Sequence, residues 1–207
     1  DMTKVIRLAH ERGIWVISDE CYVYLNYSGE RFSAGSLRDC RDRLLVVGSL
    51  SKTYAMTGWR LGFTLGPSAV IAAVQKLQSQ STSNPTSIVQ KAAVAALKGP
   101  QQCVEGMRLA YIKLRDHVVG GLRLIPGVKC TMPEGAFYAY PNVSAFFGRG
   151  GINSAADLAG KLLRELHVAT VPGEGFGTKE HIRLSYATSV AELDRGLERM
   201  HKFFAAL

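Results

Sequence analysis

Leu44-Leu45-Val46-Val47-Gly48-Ser49-Leu50-Ser51-Lys52-Thr53-Tyr54-Ala55-Met56-Thr57-Gly58-Trp59-Arg60 is the stretch on which the rest of the chain is read. Its first five residues form a continuous apolar run, the mark of a strand buried on both faces of a parallel sheet. Small hydroxylated residues then surround a lone lysine, and an arginine closes the stretch. An amine so placed can condense with an aldehyde. Ser49, Ser51 and Arg60 carry the donors that hold and orient a phosphate.

On either side the pattern repeats. Ile14-Trp15-Val16-Ile17 is an apolar run of the same kind, and Leu61–Leu65 reads as a third strand. Residues 1–12 read as an amphipathic helix with Val5, Ile6, Leu8 and Ala9 on or near one face, ended by Gly13. Helix, strand, long connection and strand in that order predict an α/β layer with helices packed on a sheet. Helical periodicity returns over 69–80, 87–97 and 101–124, and Gly99-Pro100 interrupts it as a candidate domain boundary. Beyond it, strands over 128–132, 136–140, 168–171 and 182–186 and helices over 154–166 and 190–204 predict a smaller α+β domain. Ser154 reads as an N-cap, with Asp157 completing something close to a capping box. The expected division is therefore 1–99 and 100–207.

Composition narrows the function classes. The chain has 207 residues, 47% hydrophobic and 20% charged, which fits a folded protein and not a disordered one. No apolar run reaches the roughly 18 residues that cross a bilayer, and no export leader is visible at the N-terminus, so no membrane partner is expected. Cys21, Cys40, Cys103 and Cys130 are scattered without a C-x-x-C pair, which predicts reduced thiols, no metal and a cytoplasmic location. The net charge of +8 comes from lysines and arginines spread along helices, without the interleaved aromatics of a base-stacking platform. That pattern predicts a basic surface favouring anionic substrates, and no nucleic-acid partner.

In open α/β sheets ligands bind beyond the carboxyl ends of the strands. Asp19 and Tyr22 follow the first apolar run there, and Ser49, Ser51 and Lys52 follow the second. Arg183 lies inside His181-Ile182-Arg183-Leu184-Ser185-Tyr186. Taken singly, each has an ordinary reading: Asp19 a turn cap, Lys52 a solvated amine, Arg183 a surface ion pair, Tyr22 a half-buried aromatic. Trp59, Tyr54 and Phe63 read as packing residues and His181 as a surface side chain. Their joint order instead fits pyridoxal 5′-phosphate. Lys52 would form the Schiff base and carry a proton from the substrate Cα. Asp19 would keep the pyridine nitrogen protonated: opposite charges about 4 Å apart are worth about 4 kcal/mol at an effective dielectric near 20, roughly three pKa units. Tyr22 could donate to the cofactor's phenolic oxygen, and Ser49, Ser51 and Arg60 would take the phosphate. Arg183 offers the planar fork that suits a carboxylate.

These motifs resemble those of the class I aminotransferases, in fold type I of the pyridoxal-phosphate enzymes. The resemblance rests on Ile17–Tyr22, Ser51–Arg60 and Ile182–Ser189. Gln78–Pro85, Gly135-Ala136-Phe137-Tyr138 and Val171–Gly177 are similar to the bacterial aspartate/prephenate aminotransferase branch. It implies an α/β large cofactor domain followed by a smaller α+β domain, and transfer of an amino group between an amino acid and a 2-oxo acid. It also implies a homodimer in the full-length enzyme. The chain begins where family members are already about halfway along, so the resemblance implies a truncated, C-terminal portion with little or no activity alone. An exposed sheet edge and apolar face are expected with it. A C–S lyase of the same fold, or the effector domain of a transcription regulator built on this scaffold, are the alternatives it leaves open.

Overall fold

The computed structural model describes residues 1–207. It divides into two compact units, Asp1–Arg108 and Leu109–Leu207. No helix is long and apolar enough to cross a membrane.

In the first unit, helix α1 (Met2–Glu11) ends at Arg12, and Gly13 takes φ +68. The Gly13 N–H donates to the His10 carbonyl and the Ile14 N–H to that of Ala9, so glycine's freedom in the left-handed region lets two terminal carbonyls be satisfied. Of the apolar stripe expected on α1, only Ile6 is buried, while Val5 and Leu8 remain exposed. Strands β1 (Val16–Asp19), β2 (Leu44–Ser49) and β3 (Gly62–Leu65) form a sheet in that order, β1 parallel and β3 antiparallel to β2. Leu44 and Val46 turn to one face and pack with Ile6, Ala34 and Cys40. The other face is thinly covered. The expectation that residues 14–17 are buried on both faces is therefore corrected: β1 is an edge strand, Ile14 and Trp15 are exposed, and Ile17 is 69% exposed.

Helix α2 (Leu50–Thr53) follows β2 directly, and α3 (Ser68–Ser81) and α4 (Ser87–Lys98) come after β3. Leu50 and Met56 pack against Ala93 of α4, with Tyr54, Leu61 and Ala96 around them. That packing fixes the segment carrying Lys52. Helix α5 (Gln102–Arg123) contains the point at which the chain divides.

In the second unit, β4 (Tyr138–Ala139) and β5 (Val171–Pro172) both pair antiparallel with β6 (Ile182–Ser185). Helices α6 (Ala155–Leu166) and α7 (Val190–Ala205) accompany this small sheet. Residues 128–132 do not form the expected strand, because only Lys129 finds a partner, exchanging both backbone bonds with Asn142. Ser154 caps α6 as expected, its Oγ accepting the Asp157 N–H at 3.1 Å. The return bond of the capping box lands one residue early, on the Asn153 N–H. The four cysteines are free thiols.

Candidate active site

The register of β1 on β2 brings the first two groups together. Asp19 pairs with Val47, and parallel partners share a face, so Asp19 and Ser49 lie on one side at neighbouring strand ends. Chain direction then carries Lys52 over the same end of the sheet on α2. All three bear on the thiol of Cys21, a residue to which the sequence reading gives no role. Burial raises its thiol's pKa first, and the Asp19 charge raises it further; the Lys52 charge and a hydrogen bond with Ser49 pull it down. A carboxylate, an amine and a hydroxyl thus all bear on one thiol. The position of Cys21 two residues after Asp19 is the signal that could have suggested it.

Each group is held locally. One Asp19 oxygen accepts the Cys21 N–H at 2.9 Å, so Asp19 is also the turn cap of its ordinary reading. Tyr22 is half-buried in the same turn, its carbonyl accepting the Leu25 N–H at 2.8 Å. Ser49 is the N-cap of α2, its Oγ accepting the Ser51 N–H at 3.0 Å. The Leu50 N–H goes to the Leu61 carbonyl, so the first two amides of this short helix are already committed and neither awaits a phosphate. Lys52 is half-buried. Arg60 has φ 55, a left-handed conformation rare for a side-chain-bearing residue, and is pinned there by its Nη1 donating to the Thr57 carbonyl at 2.9 Å.

Of the expected packing residues, Tyr54 is held by a hydrogen bond from its hydroxyl to Gln101 Oε1 at 2.8 Å. Phe63 packs against Gly48, where a Cβ would lie 2.2 Å from the ring. Trp59 and Phe63 are nonetheless 45% and 44% exposed. A cavity of about 270 Å³ on the Val46 side of the sheet is lined by Tyr24, Tyr54 and Phe63 and reaches Ser49, but takes in neither Asp19 nor Lys52.

Arg183 belongs to the second unit and has different surroundings. It is half-buried on β6, with its guanidinium carbon 4.4 Å from the Tyr138 ring centre and 4.3 Å from that of Phe176. His181, expected on the surface, instead stacks on Tyr140 at 4.8 Å with its Nδ1 buried and unbonded.

The family described as aminotransferase class I and II matches residues 1–200. Aspartate aminotransferase of Geobacillus stearothermophilus is 42% identical over 201 residues, covering 96% of this chain and 51% of that protein. Aspartate/prephenate aminotransferase of Cereibacter sphaeroides is 41% identical, over 94% of this chain and 50% of the relative. The crystal structure of the aspartate aminotransferase from Rhizobium meliloti superposes with a TM-score of 0.89 at 39% identity, covering 99% of this chain and 52% of that one. The chain spans about half the length of the curated relatives it matches.

Proposed function

Because the chain belongs to the class I and II aminotransferases, we propose that it holds pyridoxal 5′-phosphate and serves transfer of an amino group between an amino acid, aspartate or a close relative, and a 2-oxo acid. The register that sets Asp19 and Ser49 on one face at adjacent strand ends, with Lys52 following on α2, supports this reading most directly. The donor set fits the cofactor: an amine for an aldehyde, a carboxylate for a ring nitrogen, hydroxyls and a guanidinium for a phosphate. When bound, pyridoxal phosphate supplies an electron-withdrawing ring that stabilises negative charge developing at the substrate Cα. Residues 1–99 are then read as part of the large cofactor domain and 100–207 as the small domain.

Lys52 Nζ would hold the aldehyde carbon, and its free amine would move a proton from the substrate Cα. Asp19, one oxygen of which accepts the Cys21 N–H, would hold a proton on the ring nitrogen. Tyr22 donates to the phenolic oxygen. Ser51 and Arg60 would bind phosphate oxygens, and Ser49, whose Oγ caps α2, would turn its hydroxyl hydrogen to the phosphate from the long 3.4 Å bond it now makes to the Leu61 carbonyl. Arg183 orients a substrate carboxylate with its planar fork. The names of the relatives favour transfer over elimination. The same reading makes the working protein a cytoplasmic homodimer.

Borohydride trapping followed by peptide mass mapping tests the assignment. A pyridoxyl group on Lys52, absent from Lys52→Ala, is the expected result; an unchanged adduct elsewhere in that variant refutes it. In a complete enzyme carrying this segment, Arg183→Lys should weaken dicarboxylic and neutral amino acids alike, by about tenfold or more, as one arm of a charged hydrogen-bonded fork is lost. A loss confined to one substrate would assign Arg183 to side-chain reading instead.

A further inference from the structure

Arg183 differs from most well-held arginines of this chain in what holds it. Arg108, Arg115 and Arg195 each meet a carboxylate. Arg183 meets two aromatic rings, Tyr138 and Phe176, and no carboxylate. The guanidinium carbon lies over both rings, 4.4 Å from the centre of Tyr138 and 4.3 Å from that of Phe176. A guanidinium that stacks on rings by its faces keeps its N–H edge for a ligand, the direction along which a planar, two-oxygen anion makes parallel hydrogen bonds. Rings hold a cation without neutralising it, whereas an Asp or Glu would hold it and compete with the ligand.

Both rings are themselves fixed. Tyr138 sits on β4, paired with Ser185 of the strand that carries Arg183, and packs on Phe137 at 4.9 Å. Phe176 is 47% exposed, yet the turn beneath it is pinned. The Gly173 N–H donates to the His181 carbonyl at 2.8 Å, and the Tyr140 hydroxyl bridges Thr178 Oγ1 and the Gly173 carbonyl. A Cβ on Gly173 would lie 2.6 Å from the His181 oxygen, so the close approach requires glycine. Phe176 then meets Tyr140 edge-on, and Tyr140 stacks on His181.

We propose that Phe176 and Tyr138 are positioning residues that clamp the Arg183 guanidinium edge-outward, so that it takes a carboxylate in preference to a tetrahedral anion of equal charge. The ligand part rests on the reading of Arg183 given above; the clamp itself does not.

The test is a proton–nitrogen NMR spectrum of arginine Nε–H groups in the 207-residue chain, titrated with acetate and, separately, with methanesulfonate. Arg183 should give a signal shifted upfield by the two rings and should respond to acetate at lower concentration than to methanesulfonate. Phe176→Leu should move that signal downfield and weaken acetate binding about fivefold. Phe176→Tyr should restore both, which a merely structural defect would not explain. An Arg183 signal unmoved by Phe176→Leu and by Tyr138→Leu overturns the clamp. A ring-shifted signal that ignores acetate upholds the clamp and overturns the carboxylate reading of Arg183, so the two failures are distinguishable.

Discussion

Helix α6 in the second unit and helix α3 in the first are both apolar-periodic segments of similar length, yet they end in opposite environments. Helix α6 buries Ala155, Leu158, Ala159 and Leu162. Helix α3 buries nothing, and its Leu77 is 73% exposed. The contrast extends to the sheets. Ile182 on β6 is fully buried, while Ile17 on β1 and Leu65 on β3 stand largely open. Apolar periodicity therefore reports what a helix is able to bury, not what it has been given to bury it against. Stability in this chain should be concentrated in residues 109–207, and chemistry that depends on a rigid Lys52 should draw on the local packing of Leu50 and Met56 against α4.

Hydrogen exchange should show the largest difference. Amides of α6 should open only with the whole unit, and those of α3 by local fraying, so that protection differs by several orders of magnitude. Equal protection in the two helices would erase the contrast. A pair of truncations makes it quantitative: Leu158→Ala should cost about 3 kcal/mol in denaturant unfolding, and Leu77→Ala no more than about 0.5 kcal/mol. A comparable loss from both would show that α3 is packed in solution. Ser154→Ala removes the α6 cap and should cost about 1 kcal/mol, read in the same way.

The smallest effect concerns acid. Hydrogen bonds from Ser154 and from the Asn153 N–H hold the Asp157 carboxyl below its ordinary pKa. A carboxylate whose folded pKa is depressed stabilises the fold above its unfolded value, and that contribution is lost as pH falls through the folded one. Asp157→Asn should accordingly flatten the pH dependence of unfolding below about pH 4 while leaving neutral-pH behaviour of the first unit unchanged. Steepening instead would reverse the sign of the assignment.

What local sequence dictates is dictated well here. Gly13 ends α1 and Ser154 starts α6 because caps are decided by a few adjacent residues and the backbone geometry they permit. Asp19, Ser49 and Lys52 can be picked out because each closes or follows an apolar run, and ligands gather beyond strand ends. The long-range outcomes are another matter. Residues 128–132 have strand composition, but a strand exists only if a neighbour lies alongside, and Asn142 alone does so for Lys129. Residues 14–17 read as doubly buried, yet within these 207 residues β1 has a neighbour on one side only, and Ile17 stays open. The meeting of Asp19 with Ser49 at one sheet end, and of Arg183 with Tyr138, depends on strand register joining segments tens of residues apart. By itself the sequence determined which chemical groups this protein carries and the caps and turns that hold them. Only the tertiary structure decided which of them face one another, because those contacts are set by packing across the chain and leave no trace in local periodicity.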